Sequence, residues 1–201
     1  MAGRGTVYIK KDLRLAFIPI PKNGSSTIRS FFFNWDPIKS GSHFNFIEST
    51  EILQGLRVIA VISDPTIRFA RGIVELISRQ ESSSLIQTRK FISCNTHEEK
   101  IKCLLDQIED IGFYDPHIKP QLDFISDSDG NTVENIDFWL LRDLTKKIRE
   151  IDPRYNGKKE WSKGENKDPY LNSIINSTEI IERLKSLYTG DYVLYNSLLN
   201  Q

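Results

Sequence analysis

The strongest constraint on this chain is a plan it uses twice: a short run of apolar residues without polar alternation, cut off by a polar loop, with helical spacing directly behind it. Leu15-Ala16-Phe17-Ile18-Pro19-Ile20 meets the loop Pro21-Lys22-Asn23-Gly24-Ser25-Ser26-Thr27 and continues as Thr27-Ile28-Arg29-Ser30-Phe31-Phe32-Phe33. Arg57-Val58-Ile59-Ala60-Val61-Ile62 meets Ser63-Asp64-Pro65, where an acid near the cap and a proline at the first turn open a helix over residues 65 to about 79. An alternating strand has one wet face, whereas a strand with no polar positions must be covered on both. A parallel sheet flanked by helices provides that cover, so the first part of the chain predicts an α/β fold with a central, mainly parallel sheet.

The remainder fits that class. Residues 96–111 have helical spacing, with Ile101, Leu104, Leu105, Ile108 and Ile111 on one face, and predict a packing helix. Leu122-Asp123-Phe124-Ile125 and Ile136-Asp137-Phe138-Trp139-Leu140-Leu141 flank the turn-rich Asp127-Ser128-Asp129-Gly130-Asn131 and predict two short strands. A short helix is expected over 143–150, a long loop over 152–172, and helix again over 178 to about 199 with a break at Gly190. A chain of 201 residues suits one domain spanning 1–201.

Charge and cysteine content narrow the function classes. Lys+Arg and Asp+Glu are both 27, so no whole-chain field draws the protein to nucleic acid or to an anionic membrane. No apolar run approaches the roughly 20 residues that a membrane span needs. The start resembles no signal peptide, which predicts a cytoplasmic protein without a stable membrane anchor. Cys94 and Cys103 have no metal-ligating partners at suitable spacing and are expected to be reduced thiols, and no metal is expected.

The chemistry concentrates in the first loop. Gly24 permits positive φ and close backbone approach. Successive N–H groups and the following helix N-terminus form an anion cradle, to which Lys22 adds a charge and Ser25, Ser26 and Thr27 add hydroxyls. Phosphate or sulfate suits such a cradle; an ordinary Gly/Ser turn capping a helix is the alternative. Lysine precedes the glycine here, whereas the nucleotide triphosphatase loop places it after the second glycine.

Ile20-Pro21-Lys22-Asn23-Gly24-Ser25-Ser26-Thr27 resembles the 5′-phosphosulfate loop of sulfotransferases that use 3′-phosphoadenosine 5′-phosphosulfate (PAPS), especially the carbohydrate-type group. Val61-Ile62-Ser63-Asp64-Pro65-Thr66-Ile67-Arg68-Phe69 resembles that family's 3′-phosphate signature, V-x-R-D-P-x-x-R-x-x-S. His117-Ile118-Lys119-Pro120-Gln121 is similar to its H-x-x-P-Q segment, and Tyr188-Thr189-Gly190-Asp191-Tyr192-Val193-Leu194-Tyr195 to its closing Y-x-x-D-Y-x-L-[FY]. The resemblance implies a P-loop-like three-layer fold, PAPS as donor, a hydroxyl-bearing acceptor of carbohydrate type, and no metal.

One exchange departs from the pattern. Ser63 stands where the family has arginine, and Arg71 where it has serine. One hydroxyl and one guanidinium could still meet the 3′-phosphate, with Arg71 supplying the charge-assisted contact; a degenerate site with Arg71 on a solvated face is the alternative. The resemblance places Lys22 against the bridging oxygen of the donor, where cationic stabilisation of the leaving phosphate does most of the work.

A base must take the acceptor's proton, and histidine has a suitable pKa. His43, in Gly41-Ser42-His43-Phe44-Asn45-Phe46, resembles the G-H-x-S-F segment of uronyl 2-O-sulfotransferases and is the favoured base. His117 either serves that role or shapes the acceptor site, His97 opens the packing helix, and Glu48 is a fallback base. The loop Lys158-Lys159-Glu160-Trp161-Ser162-Lys163 could close over adenine or acceptor, or simply be solvated. Many relatives are membrane-anchored Golgi enzymes with disulfides, whereas this chain is read as having neither feature, which suggests a bacterial or viral member acting in a cytosol on a soluble or lipid-linked acceptor. Two alternatives remain: a non-catalytic PAPS-binding relative, and a P-loop small-molecule kinase.

Overall fold

The structure, a computed structural model, describes residues 6–33, 45–46, 53–78, 93–126, 133–157 and 169–201. The chain divides into two compact units. The first comprises Met1–Ser63, Pro120–Lys163 and Ser197–Gln201, and the second Asp64–Lys119 and Gly164–Asn196.

The first unit is built on an open sheet. Its strands are β1 (Thr6–Lys10), β2 (Leu15–Ile18), β3 (Asn45–Phe46), β4 (Arg57–Ile62) and β5 (Ile136–Leu140), in the spatial order β3-β1-β2-β4-β5. β2, β4 and β5 run parallel, with Ile18 opposite Ala60 and Ile62 opposite Leu140. β1 is antiparallel to both of its neighbours. Connection length explains the difference. Between β1 and β2 a tight 3-10 turn over Lys11–Leu13, closed by Arg14 at φ 47°, can only return the chain antiparallel, whereas the parallel β2 and β4 are joined by a long connection that includes the helical Ser25–Phe33.

The chain is thus α/β with a mostly parallel open sheet, as the two apolar runs predict, and those runs are buried along nearly their whole length. One sheet face carries Leu15, Phe17, Ile59, Val61 and Trp139. Onto it pack Ile28 and Phe32 of α1 (Ser25–Phe33) and Leu144 and Ile148 of α4 (Leu144–Ile151).

The second unit is helical: α2 (Pro65–Ser78), α3 (His97–Ile111), α5 (Pro169–Ile175), α6 (Thr178–Leu187) and most of α7 (Thr189–Leu199). Phe69, Ala70, Ile73 and Leu76 meet Ile101, Leu104, Leu105 and Ile108 in its core, joined by Tyr170, Ile174, Ile180, Leu184 and Tyr188. The α3 boundary follows from a capping box: Thr96 accepts from the Glu99 N–H, and the Glu99 carboxylate accepts from the Thr96 N–H.

Four expectations change. Leu122-Asp123-Phe124-Ile125 is not a strand: a 3-10 turn spans Leu122–Phe124, because i to i+3 bonds run from the carbonyls of Pro120, Gln121 and Leu122. Residues 169–172, expected in the long loop, begin α5. Pro169 sits at the first helical position, which tolerates it, and Tyr170 and Ile174 bury one face. The C-terminal break falls at Tyr188 rather than Gly190. Ile111 is 56% exposed and lies off the core.

Candidate functional site

Within the first unit, the chain leaves β2 at Ile18, passes the buried Ile20, and turns through Pro21–Gly24 into α1. Asn23 N–H donates to the Ile20 carbonyl at 3.2 Å, and Ile28 N–H to the Gly24 carbonyl at 3.3 Å, closing the first helical turn. Lys22 and Gly24 both have positive φ, 69° and 71°. For glycine this costs nothing steric, but for lysine it is an uncommon left-handed state. At Gly24 a side chain is excluded twice over, because a Cβ there would lie 2.5 Å from Leu144 Cδ2 and 3.0 Å from Leu141 Cδ1. The first turn of α1 holds no acidic residue, so no carboxylate of its own offsets the helix dipole there.

The polar residues of the loop divide by direction. Lys22, Ser26 and Thr27 are half-buried, whereas Asn23 is 1% exposed and Ser25 is buried. Asn23 points inward, into a clasp with Ser63 at the end of β4 and with Gln121. Its Nδ2 donates to the Val61 carbonyl at 2.6 Å and to Gln121 Oε1 at 2.5 Å, while its Oδ1 accepts from Ser63 Oγ at 2.6 Å. Gln121, 0% exposed, pairs with both peptide groups of Ser63: Oε1 accepts from the N–H and Nε2 donates to the carbonyl, each at 3.0 Å. β2 ends opposite Ala60, so Asn23 and Gln121 supply side-chain amides where the backbone ladder has stopped.

Ser63 and Asn23, both expected at the donor, therefore use their side chains to hold loop and strand together. Nothing in the sequence around Gln121 points to this role: it is a lone amide after proline, and its partners lie 58 and 98 residues away.

In the second unit, Asp64 opens α2 by accepting from the N–H groups of Thr66 at 2.8 Å and Ile67 at 3.2 Å. Arg68, 1% exposed, donates to the carbonyls of Lys119 at 2.5 Å and Pro116 at 3.3 Å, pinning the 116–119 turn to the helix. Arg71, one turn on, is exposed. Gly72 admits the same turn: a Cβ would lie 2.5 Å from the His117 carbonyl oxygen.

His117 is largely buried and joined to Asp115, whose Oδ1 lies 2.8 Å from Nδ1 and also accepts from the His117 N–H at 2.7 Å. With Nδ1–H donating to the carboxylate, Nε2 becomes the proton-accepting nitrogen. Asp115 likewise carries no distinguishing signal in the sequence. The Tyr192 hydroxyl lies 2.7 Å from Thr66 Oγ1, and burial pushes its pKa up. His97 is exposed and meets the Tyr170 ring edge-on at 4.8 Å. His43, Glu48 and the 158–163 loop lie outside the described residues.

Among the described residues, no three His, Cys, Asp or Glu side chains gather as a metal site, and no helix is long and apolar enough to cross a membrane. Comparison of the chain with family models, with curated proteins and with solved structures found no match.

Proposed function

We propose that this chain is a P-loop-like sulfotransferase that moves a sulfuryl group from PAPS to a hydroxyl of a carbohydrate acceptor. The observation that carries the reading is the loop itself. A lysine held at φ 69° and a glycine at φ 71° flank a buried asparagine, directly ahead of a helix whose first turn has no acid. Strained backbone of this kind persists where surrounding structure holds it, and such sites concentrate where ligands bind. The order of the four resembling segments along the chain supports the choice of donor.

In this reading the α1 N–H groups and the hydroxyls of Ser26 and Thr27 take the 5′-phosphosulfate, and Lys22 stabilises charge on the bridging oxygen as its bond to sulfur breaks. The acceptor oxygen attacks sulfur in line, its proton passes to a base, and adenosine 3′,5′-bisphosphate leaves. His43 is the proposed base. His117, with Asp115 on its Nδ1, has the arrangement of an oriented base and is the second candidate. Of the two residues expected at the 3′-phosphate, Ser63 donates its hydroxyl to Asn23, so the charge-assisted contact proposed for Arg71 carries that part of the reading.

That last observation favours a second reading, a non-catalytic relative that binds the nucleotide without turnover. Calorimetry with adenosine 3′,5′-bisphosphate tests the common ground. Wild type is expected to bind and Lys22→Ala to bind about tenfold or more weakly, as loss of one charge-assisted bond implies. No binding by wild type refutes both readings. Binding without sulfation of any of a panel of hydroxyl acceptors selects the second, and a requirement for magnesium would point instead to a kinase.

A further inference from the structure

We propose that Gln121 is the positioning residue of the anion loop: its side-chain amide, locked to Ser63 and Asn23, holds Lys22 and Gly24 in their left-handed conformations and so sets the loop's affinity for its nucleotide without touching it. The effect on affinity rests on the proposed nucleotide reading, whereas the mechanical part does not.

The geometry argues for more than a filled core position. Five hydrogen bonds join three side chains from distant parts of the sequence, namely those from Asn23 to Val61 and Gln121, from Ser63 Oγ to Asn23, and the pair between Gln121 and the Ser63 peptide. Both N–H bonds of Asn23 Nδ2 are used, and Gln121 Oε1 takes two donors. The orientation is polar as well as tight. The Gln121 oxygen faces two N–H groups and its nitrogen faces a carbonyl, so only a group with an acceptor at one position and a donor at the other completes the set. Asn23 lies between the two positive-φ residues, and rotating either would tear its amide from Val61 and Gln121. A left-handed lysine needs such over-determination to persist. Gln121 provides it through Asn23, at the end of β4.

Gln121→Glu separates positioning from simple packing, because it keeps shape and changes one atom's chemistry. When ionised, one carboxylate oxygen still accepts from Asn23 and from the Ser63 N–H, but the other opposes the Ser63 carbonyl, which Nε2 now meets at 3.0 Å. When protonated, the carboxyl donates to that carbonyl and restores the clasp. Burial pushes its pKa up, so restoration falls in an accessible range. The groups its amide pairs with here, Asn23 and the Ser63 peptide groups, do not titrate in that range. The charged residues nearest along the chain are Lys22, Asp64, Lys119 and Asp123.

The experiment measures two quantities on the whole chain from about pH 8 down to about pH 5: amide hydrogen exchange at residues 22–28, and affinity for adenosine 3′,5′-bisphosphate as a ratio to wild type at the same pH. At the upper pH, Gln121→Glu is expected to exchange faster in this segment and to bind about tenfold or more weakly. Both differences shrink as pH falls. Gln121→Met, of similar volume, is expected to show the loosening at every pH without recovery. Wild-type exchange and affinity in Gln121→Glu at the upper pH, or a defect that ignores pH, overturns the proposal.

Should the glutamate variant not fold at the upper pH, Ser63→Ala removes only the Oγ bond and is expected to speed exchange at 22–24 selectively; unchanged exchange there overturns it. If wild type binds no bisphosphate, the sulfotransferase reading falls, while the exchange measurements still decide whether Gln121 holds the loop.

Discussion

Gly24→Ala tests whether the loop's shape is imposed by what lies beneath it. Two independent costs follow from the structure. An alanine at φ 71° occupies the left-handed region, at about 1–2 kcal/mol. Its Cβ would also sit 2.5 Å from Leu144 Cδ2 and 3.0 Å from Leu141 Cδ1, and Leu144 is packed in the core with little room to withdraw, so overpacking adds about 1–3 kcal/mol. The reduced freedom of the unfolded chain returns roughly 0.4–1 kcal/mol. The net expectation is a loss of about 2–4 kcal/mol, which for a chain of this size lowers Tm by roughly 5–15 °C.

Urea unfolding of four proteins separates the terms: wild type, Gly24→Ala, Leu144→Val, and the double variant. Leu144→Val withdraws the clashing methyl and on its own costs about 1 kcal/mol. In the Gly24→Ala background it is expected to cost less than that, or to stabilise, giving a coupling of about 1 kcal/mol or more. Stability of Gly24→Ala within about 0.5 kcal/mol of wild type, or strict additivity in the cycle, refutes the argument that α1 and α4 clamp the loop.

The second unit offers the opposite sign test. Gly72 lies inside α2 in ordinary helical conformation, so alanine should stabilise by about 1 kcal/mol on propensity alone. With its Cβ 2.5 Å from the His117 carbonyl oxygen, we instead expect net destabilisation of about 1–2 kcal/mol, read as a lowered urea midpoint; a raised midpoint would show that the 116–119 turn is not fixed to the helix. Asp152 provides a pH test. Hydrogen bonds from the Arg154 side chain, then from its backbone N–H, hold its pKa at about 2, below the ordinary 3.8. Because the folded value is depressed, the contribution to stability is present above the unfolded pKa and lost as pH falls through the folded one. Carboxyl NMR titration should find the low midpoint in wild type and a higher one in Arg154→Ala, still below 3.8 because the backbone N–H bond remains, and an unchanged midpoint in the variant would remove the Arg154 side chain as the cause.

Local pattern carried much of the fold. Residues 57–62 have no polar position after Arg57, and a strand of that kind can only be an inner one, which is where β4 lies. The helix over 97–111 announces itself through Thr96 and Glu99 at capping-box spacing. Where local cues conflict, local pattern misleads. Leu122-Asp123-Phe124-Ile125 alternates like a strand, yet the proline two residues earlier and the buried Gln121 between them commit the segment to a 3-10 turn. Pro169 and its polar neighbours look like loop, but proline costs nothing at a first helical position, and the burial of Tyr170 and Ile174 supplies the rest.

For the candidate site, the residues from Pro21 to Thr27 are recognisable from their own types, because glycine, lysine and hydroxyls between a buried strand and a helix have few uses. Their directions were not legible. Asn23 and Ser63 carry groups that could bind a phosphate, and nothing within a few residues of either tells that both face inward. Sequence determined where two covered strands end, where the turn must come, and which residue in it most readily takes a left-handed conformation, since each follows from backbone sterics and burial over a few neighbouring positions. Only tertiary structure decided that Gln121 reaches Asn23 from 98 residues away, committing part of the loop's polar chemistry to its own scaffold. A hydrogen bond depends on the final separation and orientation of its partners, and for distant residues those exist only once the chain has packed.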